Sequence, residues 1–268
     1  IRRSVASLIL ESNMDNHFIL TPLFFDRYDE GLAVLAQSGW DINRPSLPEG
    51  DEKTRTMAVH RPLADLTAAT LNRRKRPVSI AGDCCAVIPV MAGLQQGGIN
   101  PALVWIDAHG DFNTWETTPG GFLGGMPLAM MVGLGEQTLV ENVGMSRFPD
   151  QNIVLADGRD LDPEERDLIE KSNVVHLSNV LDLLNHSLPF REIYVHFDTD
   201  ILDPSEASAM GYLARGGPPA NDLEKVFRHL ADTYKIVAVS MSTWRPNMDE
   251  DGRSKDICLR LLDALIGA

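Results

Sequence analysis

Asp107, His109 and Asp111 stand at alternate positions directly behind the apolar run Ala102-Leu103-Val104-Trp105-Ile106. On an extended backbone, residues two apart point to one side, so the spacing predicts three side chains facing together at the end of a buried strand. Two carboxylates and an imidazole on one side make a donor set for a divalent metal ion. A capped strand end followed by a polar turn would read the same way, and this motif alone leaves both open.

Two further segments repeat the pattern. Gly82-Asp83-Cys84 follows the short apolar stretch Pro77-Val78-Ser79-Ile80, and Asp198 and Asp200 follow Ile193–Phe197 ahead of Leu202-Asp203-Pro204. Parallel strands point one way, so three such ends can meet on one rim. Carboxylates gathered there raise one another's pKa or push apart unless cations sit between them. Two divalent ions bridged by aspartates resolve the conflict, and a metal pair ~3.5–4 Å apart holds and activates a water for hydrolysis. Three polar strand ends together make solvated strand tips a poor account.

The surrounding chain supplies elements that can position these ends. Strands are expected over His17–Leu20, 77–80, 102–107, Asn152–Ala156, Val174–Leu177, Ile193–Phe197 and Ile236–Val239. Between them, apolar spacing predicts helices over Asp29–Ser38, Pro62–Asn72, Val87–Gln96, Pro163–Lys171, Asn179–Asn185, Leu223–Tyr234 and Asp256–Leu265. The Pro-, Gly- and charge-rich stretch Arg44–Lys53 reads as a surface loop. Strand–helix alternation without a composition break or repeat predicts one α/β domain over 1–268, a doubly wound and mostly parallel sheet. Ligands of such sheets bind beyond the carboxyl ends of the strands. The composition, 44% hydrophobic but only 6% aromatic, suits aliphatic parallel strands covered by helices.

A formal net charge of −14 argues against nucleic acid or an anionic membrane as partner. The basic cluster Arg73-Arg74-Lys75-Arg76 reads as a solvated helix end that complements the helix dipole. Three cysteines, Cys84, Cys85 and Cys258, two of them adjacent, are no disulfide framework and fit a reducing cytoplasm. No apolar run approaches the ~20 residues of a membrane span. Ile1–Leu10 carries two arginines and a short apolar patch without a cleavage signal, and reads as an ordinary N-terminal segment.

Four segments, in this order, resemble the ureohydrolase (arginase/agmatinase) family: Gly82-Asp83-Cys84, Asp107 to Thr114, Gly125-Met126-Pro127-Leu128-Ala129, and Phe197-Asp198-x-Asp200-x-x-Asp203-Pro204. The resemblance implies a three-layer α/β/α fold, a site for two Mn2+ and hydrolysis of a guanidino group. It implies that Asp107 and Asp198 bridge both metals, that Cys84 and Asp111 complete one site, and that His109 and Asp200 complete the other. A hydroxide held between the metals and oriented by Asp111 is then the nucleophile, and the products are an amine and a urea. It also implies a homo-oligomer, since the family forms trimers and hexamers.

Departures from the family pattern carry as much information. The family's first motif is Gly-Gly-Asp-His, and Cys84 stands where it has histidine; a thiolate is the softer ligand and favours zinc or iron more than imidazole does. Cys84 as a buried bystander is the alternative. Gly124 stands where arginases keep a proton-shuttling histidine, and Thr243, in Thr243-Trp244-Arg245-Pro246, stands where the family sets a glutamate against the guanidinium. Loss of an acid–base group and a carboxylate disfavours plain arginine. An N-hydroxyguanidine fits better: its oxygen lowers the basicity, its OH can bond Thr243, and Gly124 leaves it room.

At the substrate's other end, Gly158-Arg159-Asp160-Leu161-Asp162-Pro163 resembles the arginase loop whose aspartate holds the α-amino group, which points to Asp162. Asn113 matches the asparagine that reads the α-carboxylate, and Thr118 lies on the same loop, while the family's nearby serine is Gly120 here. A cap on the helix starting at Pro163 is an equally good account of Asp162, and one residue can do both. The expected substrate is the small guanidino amino acid Nω-hydroxy-L-arginine, split to hydroxyurea and L-ornithine. Arginase, agmatinase or formiminoglutamase chemistry is the alternative within the family. A non-catalytic metal- or ligand-binding relative is the alternative outside catalysis.

Overall fold

In the computed structural model, which describes residues 14–267, ten strands alternate with helices. The strands are β1 (Asn16–Thr21), β2 (Leu23–Phe24), β3 (Arg27–Tyr28), β4 (Asp41–Ile42), β5 (Arg76–Ala81), β6 (Ala102–Asp107), β7 (Ile153–Asp157), β8 (Val175–Leu177), β9 (Glu192–Asp198) and β10 (Lys235–Ser242). Eight of them form one sheet in the order β4-β1-β5-β10-β9-β6-β7-β8, and β2–β3 is a separate antiparallel ribbon. Every pairing within the large sheet is parallel. The principal helices are α1 (Glu52–Asn72), α2 (Val87–Gln96), α3 (Pro163–Lys171), α4 (Ala220–Thr233) and α5 (Arg253–Ile266).

Successive residues of a strand face opposite sides, and both sides of this sheet are buried. Leu103 and Trp105 of β6 pack with Leu63 of α1 and Val90 and Leu94 of α2 in one core. Val104 and Ile106 pack with Phe227 of α4 and Leu261 of α5 in the other. The layers are therefore α/β/α, as the fold resemblance implies. At Gly93 a Cβ would lie 2.6 Å from the Ala64 carbonyl oxygen, so the glycine lets α2 lie directly on α1.

Several expected boundaries move. The helix expected from Pro62 begins ten residues earlier, because Asp51 caps it by accepting the Thr54 amide at 2.8 Å. Pro62 lies inside the finished α1, so Arg44–Lys53 is a loop only up to that cap. The helix expected over Asp29–Ser38 is one turn, Glu30–Ala33. Tight i to i+3 bonds follow it and Trp40 stacks on Phe18 at 4.4 Å, returning the chain to the sheet edge as β4. Asn179–Asn185 is a 3₁₀ turn over Val180–Leu184. The expectation for Ile1–Leu10 lies outside the described residues. No helix among the described residues is long and apolar enough to cross a membrane.

Candidate active site

Neighbouring strands β10, β9 and β6 bring Ser240, His196 and Trp105 into register as one row across the sheet. Two residues further along, on the same face, come Ser242, Asp198 and Asp107, so the acidic rim sits one layer above a buried polar row. All six side chains are at most 3% exposed. Tyr194 donates to Ser240 Oγ at 2.8 Å, and Ser240 Oγ lies 2.9 Å from His196 Nδ1. The Trp105 indole N–H donates to Asp107 Oδ2 at 3.0 Å and fixes that carboxylate from below.

The expectation that an extended backbone aligns Asp107, His109 and Asp111 is corrected. β6 stops at Asp107, and Asp111 is in the left-handed region at φ 48°. Convergence comes instead from a local device used twice. Asp107 Oδ1 accepts the His109 amide at 2.7 Å, and Asp198 Oδ1 accepts the Asp200 amide at 3.0 Å. Each aspartate folds the chain over its own carboxylate, so the residue two positions on swings back over the strand end.

Donor atoms of Cys84, Asp107, His196 and Asp198 all lie within 4.8 Å of one another, and those of Asp107, His109 and Asp200 form a second such group. The groups share Asp107. Asp111 stands outside both, with its carboxylate beside the Cys84 thiol. His196 belongs to the first group and was absent from the sequence expectation; only the strand register puts an imidazole there. Cys85 faces away, into the core under α2.

The cluster is electrostatically unbalanced. Burial first, then neighbouring carboxylates, raises Asp111, Asp200 and the Cys84 thiol well above their ordinary ranges, and burial with the Asp107 charge pushes Asp198 up to about 6. For His109 burial works the other way, yet Asp107 and Asp200 drive it up to about 12. Within the cluster, Asp111 Oδ2, Asp200 Oδ1 and His196 Nε2 are buried without a hydrogen-bond partner. Buried oxygens that repel one another and lack donors fit a pair of divalent cations, which would neutralise the charge and fill the open lone pairs.

A cavity of about 310 Å³ opens on this cluster and is lined by Cys84, His109, Asp111, Asn113, Thr118, Asp162, Gly124, Asp200 and Thr243 among others. Asn113 Nδ2 donates to Asp162 Oδ2 at 2.9 Å, which joins the two residues expected at the substrate's amino-acid end. Asp162 is at the same time the N-cap of α3 and part of the cavity wall, so the cap does not take it out of the site. Thr118 lines the cavity, and its neighbour Thr117 donates to Asn113 Oδ1 at 2.8 Å.

Two expected roles change their physical basis. Thr243, at φ 77°, donates its hydroxyl to Asp198, which also receives Ser242 Oγ at 3.0 Å and the Cys84 thiol at 3.1 Å. Gly124 does not leave open space: a Cβ built there would lie 2.3 Å from Cε1 of Phe122, whose ring lies across the glycine.

Glu165 also lines the cavity and was not apparent from the sequence. It accepts the amides of Phe112 at 2.8 Å and Asp162 at 3.2 Å, tying the Asp111–Asn113 crest to the cap of α3. Burial pushes it up to about 7.

The arginase-family model matches residues 34–267. Arginase of Bacillus subtilis (strain 168) is 28% identical over 254 residues, covering 89% of this chain and 86% of that protein. Arginase of Bacillus caldovelox is 29% identical over 236 residues, covering 82% and 79%. A crystal structure of arginase from B. subtilis superposes with a TM-score of 0.82 at 24% identity over 95% of this chain and 99% of that one. Formimidoylglutamase from the same organism gives 0.73 at 16% identity over 95% and 86%; at these identities the structural likeness is one of fold.

Proposed function

The chain belongs to the arginase family, hydrolases of carbon–nitrogen bonds in linear amidines, and we propose Nω-hydroxy-L-arginine as its substrate, cleaved to hydroxyurea and L-ornithine. Its residue pattern resembles that of the Nω-hydroxy-L-arginine amidinohydrolase of D-cycloserine biosynthesis, a ureohydrolase with a cysteine among its metal ligands. The observation that carries a hydrolytic reading is the pair of overlapping donor groups that share Asp107.

In this reading Cys84, Asp107, Asp111, Asp198, His109 and Asp200 would hold two Mn2+. When bound, the ions supply an activated water and neutralise charge as the guanidino carbon becomes tetrahedral. Asp111 would orient that water. Asp162 accepts from the substrate α-amino group and Asn113 donates to its α-carboxylate, which suits an amino acid and leaves a decarboxylated guanidine without partners. Thr243, as donor to Asp198, keeps a lone pair free to accept from the substrate's N–OH. A site that hydrogen-bonds an OH loses that contact with an analogue lacking it.

The test is turnover by the manganese-loaded protein on Nω-hydroxy-L-arginine, L-arginine and agmatine. The expected order of kcat/KM is hydroxyarginine, then arginine, with agmatine least. A large preference for arginine would overturn the substrate assignment, and turnover of none would favour a binding protein.

A further inference from the structure

The cavity has an aromatic side as well as an acidic one. Phe122 and Tyr212 line it with ring centroids 4.9 Å apart, and Phe122 meets the buried Phe25 edge-on at 5.9 Å. Phe25 is held in turn by its amide, which donates to Asp83 Oδ2 at 2.7 Å at the end of β5. Phe122 and Tyr212 remain 37% and 41% exposed, so the fold leaves two large rings half-covered on the wall of the cavity. Gly124 explains how the first ring is held there. Its backbone is not in the left-handed region, so conformation does not demand glycine. Sterics do, because a Cβ would lie 2.3 and 2.4 Å from Cε1 and Cζ of Phe122.

We propose that the half-exposed rings of Phe122 and Tyr212, tilted 37° to one another, form an aromatic platform with the Phe122 face as the surface on which the planar guanidino group of the substrate stacks, and that Phe122 and Gly124 act as one coupled specificity element. A guanidino group is flat, delocalised and weakly hydrated, which suits it to an aromatic face. With threonine at position 243, the platform supplies attraction where no carboxylate stands. The inference rests on the substrate being a guanidino compound, and needs no particular substituent on its nitrogen.

The test compares the manganese-loaded wild type with Phe122→Ala, Phe122→Tyr, Gly124→Ala and the Phe122→Ala/Gly124→Ala double variant. Affinities for Nω-hydroxy-L-arginine, L-arginine and L-ornithine are measured by calorimetry, and KM and kcat for whichever guanidine turns over. Phe122→Ala should weaken guanidine binding about tenfold, the size of one good aromatic contact. Its affinity for L-ornithine, which has no guanidino group, should stay within about twofold, and Phe122→Tyr should restore guanidine binding. Gly124→Ala should reproduce the loss by displacing the ring, and the double variant should lose nothing more. Unchanged guanidine affinity in Phe122→Ala, an equal loss for L-ornithine, or additive losses would each overturn the platform. If L-arginine outperforms hydroxyarginine in the wild type, the proposed substrate fails, while the same comparison made with L-arginine still decides the platform.

Discussion

Asp198 is the residue on which the acidic rim is centred. Its Oδ2 accepts from Cys84, Ser242 and Thr243, and its Oδ1 accepts the Asp200 amide. A carboxylate held by donors from three chain segments is pre-aimed. Replacing it removes a metal donor and leaves those three hydroxyl and thiol groups to rearrange. Asp198→Ala should therefore abolish turnover and lower the metal content by one equivalent, measured by elemental analysis of the purified protein; full activity with two metals retained would refute the place given to Asp198 in the metal site. Cys84→His should keep two metals and shift preference from zinc toward manganese, because imidazole is less soft than thiolate. Competition between the two ions checks that shift, and loss of all metal in the variant would mean that the strand ends do not converge as described.

At the scale of elements, the helix α1 carries His60, 2% exposed, with Nδ1 unpartnered. Burial lowers its pKa from 6.5 to about 3, so the folded protein refuses a proton that the unfolded chain accepts. Stability due to the neutral ring is fully present above the unfolded value and is lost as pH falls from 6.5 toward 3, by at most about 1.4 kcal/mol per pH unit. His60→Leu should flatten the fall in stability between pH 7 and pH 5, read from urea unfolding at each pH. An unchanged slope would show that the ring is not buried neutral. The length of α1 shows why such a residue is hard to place from sequence. Pro62 reads as a helix start, and only the cap at Asp51 carries the helix back far enough to bury His60.

At the scale of the whole molecule, a net charge of −14 and a buried acidic rim make folding sensitive to cations. Metal that binds only the folded state stabilises it by mass action, about 2.7 kcal/mol at a hundred times its Kd. For a chain of this size that is roughly 5–10 °C in Tm. Chelation should lower the Tm by about this much, excess manganese should restore it, and Asp198→Ala should shrink the difference; calorimetric scans with and without chelator check all three. The amino-acid sequence by itself determined the alternation of strands and helices, the burial of β6 on both faces, and the kinds of donor at three strand ends. Those features are written in periodicity and residue type, which are local. Tertiary structure alone decided that His196 joins the Cys84 group, that Thr243 donates to Asp198 and that the Phe122 ring, not open space, lies against Gly124. The first two depend on which strands become neighbours, with Thr243 and Asp198 meeting across 45 residues of sequence. The third is a matter of which side chain takes a given volume, and a glycine in a sequence does not say whether its missing Cβ leaves a void or makes way for a neighbour.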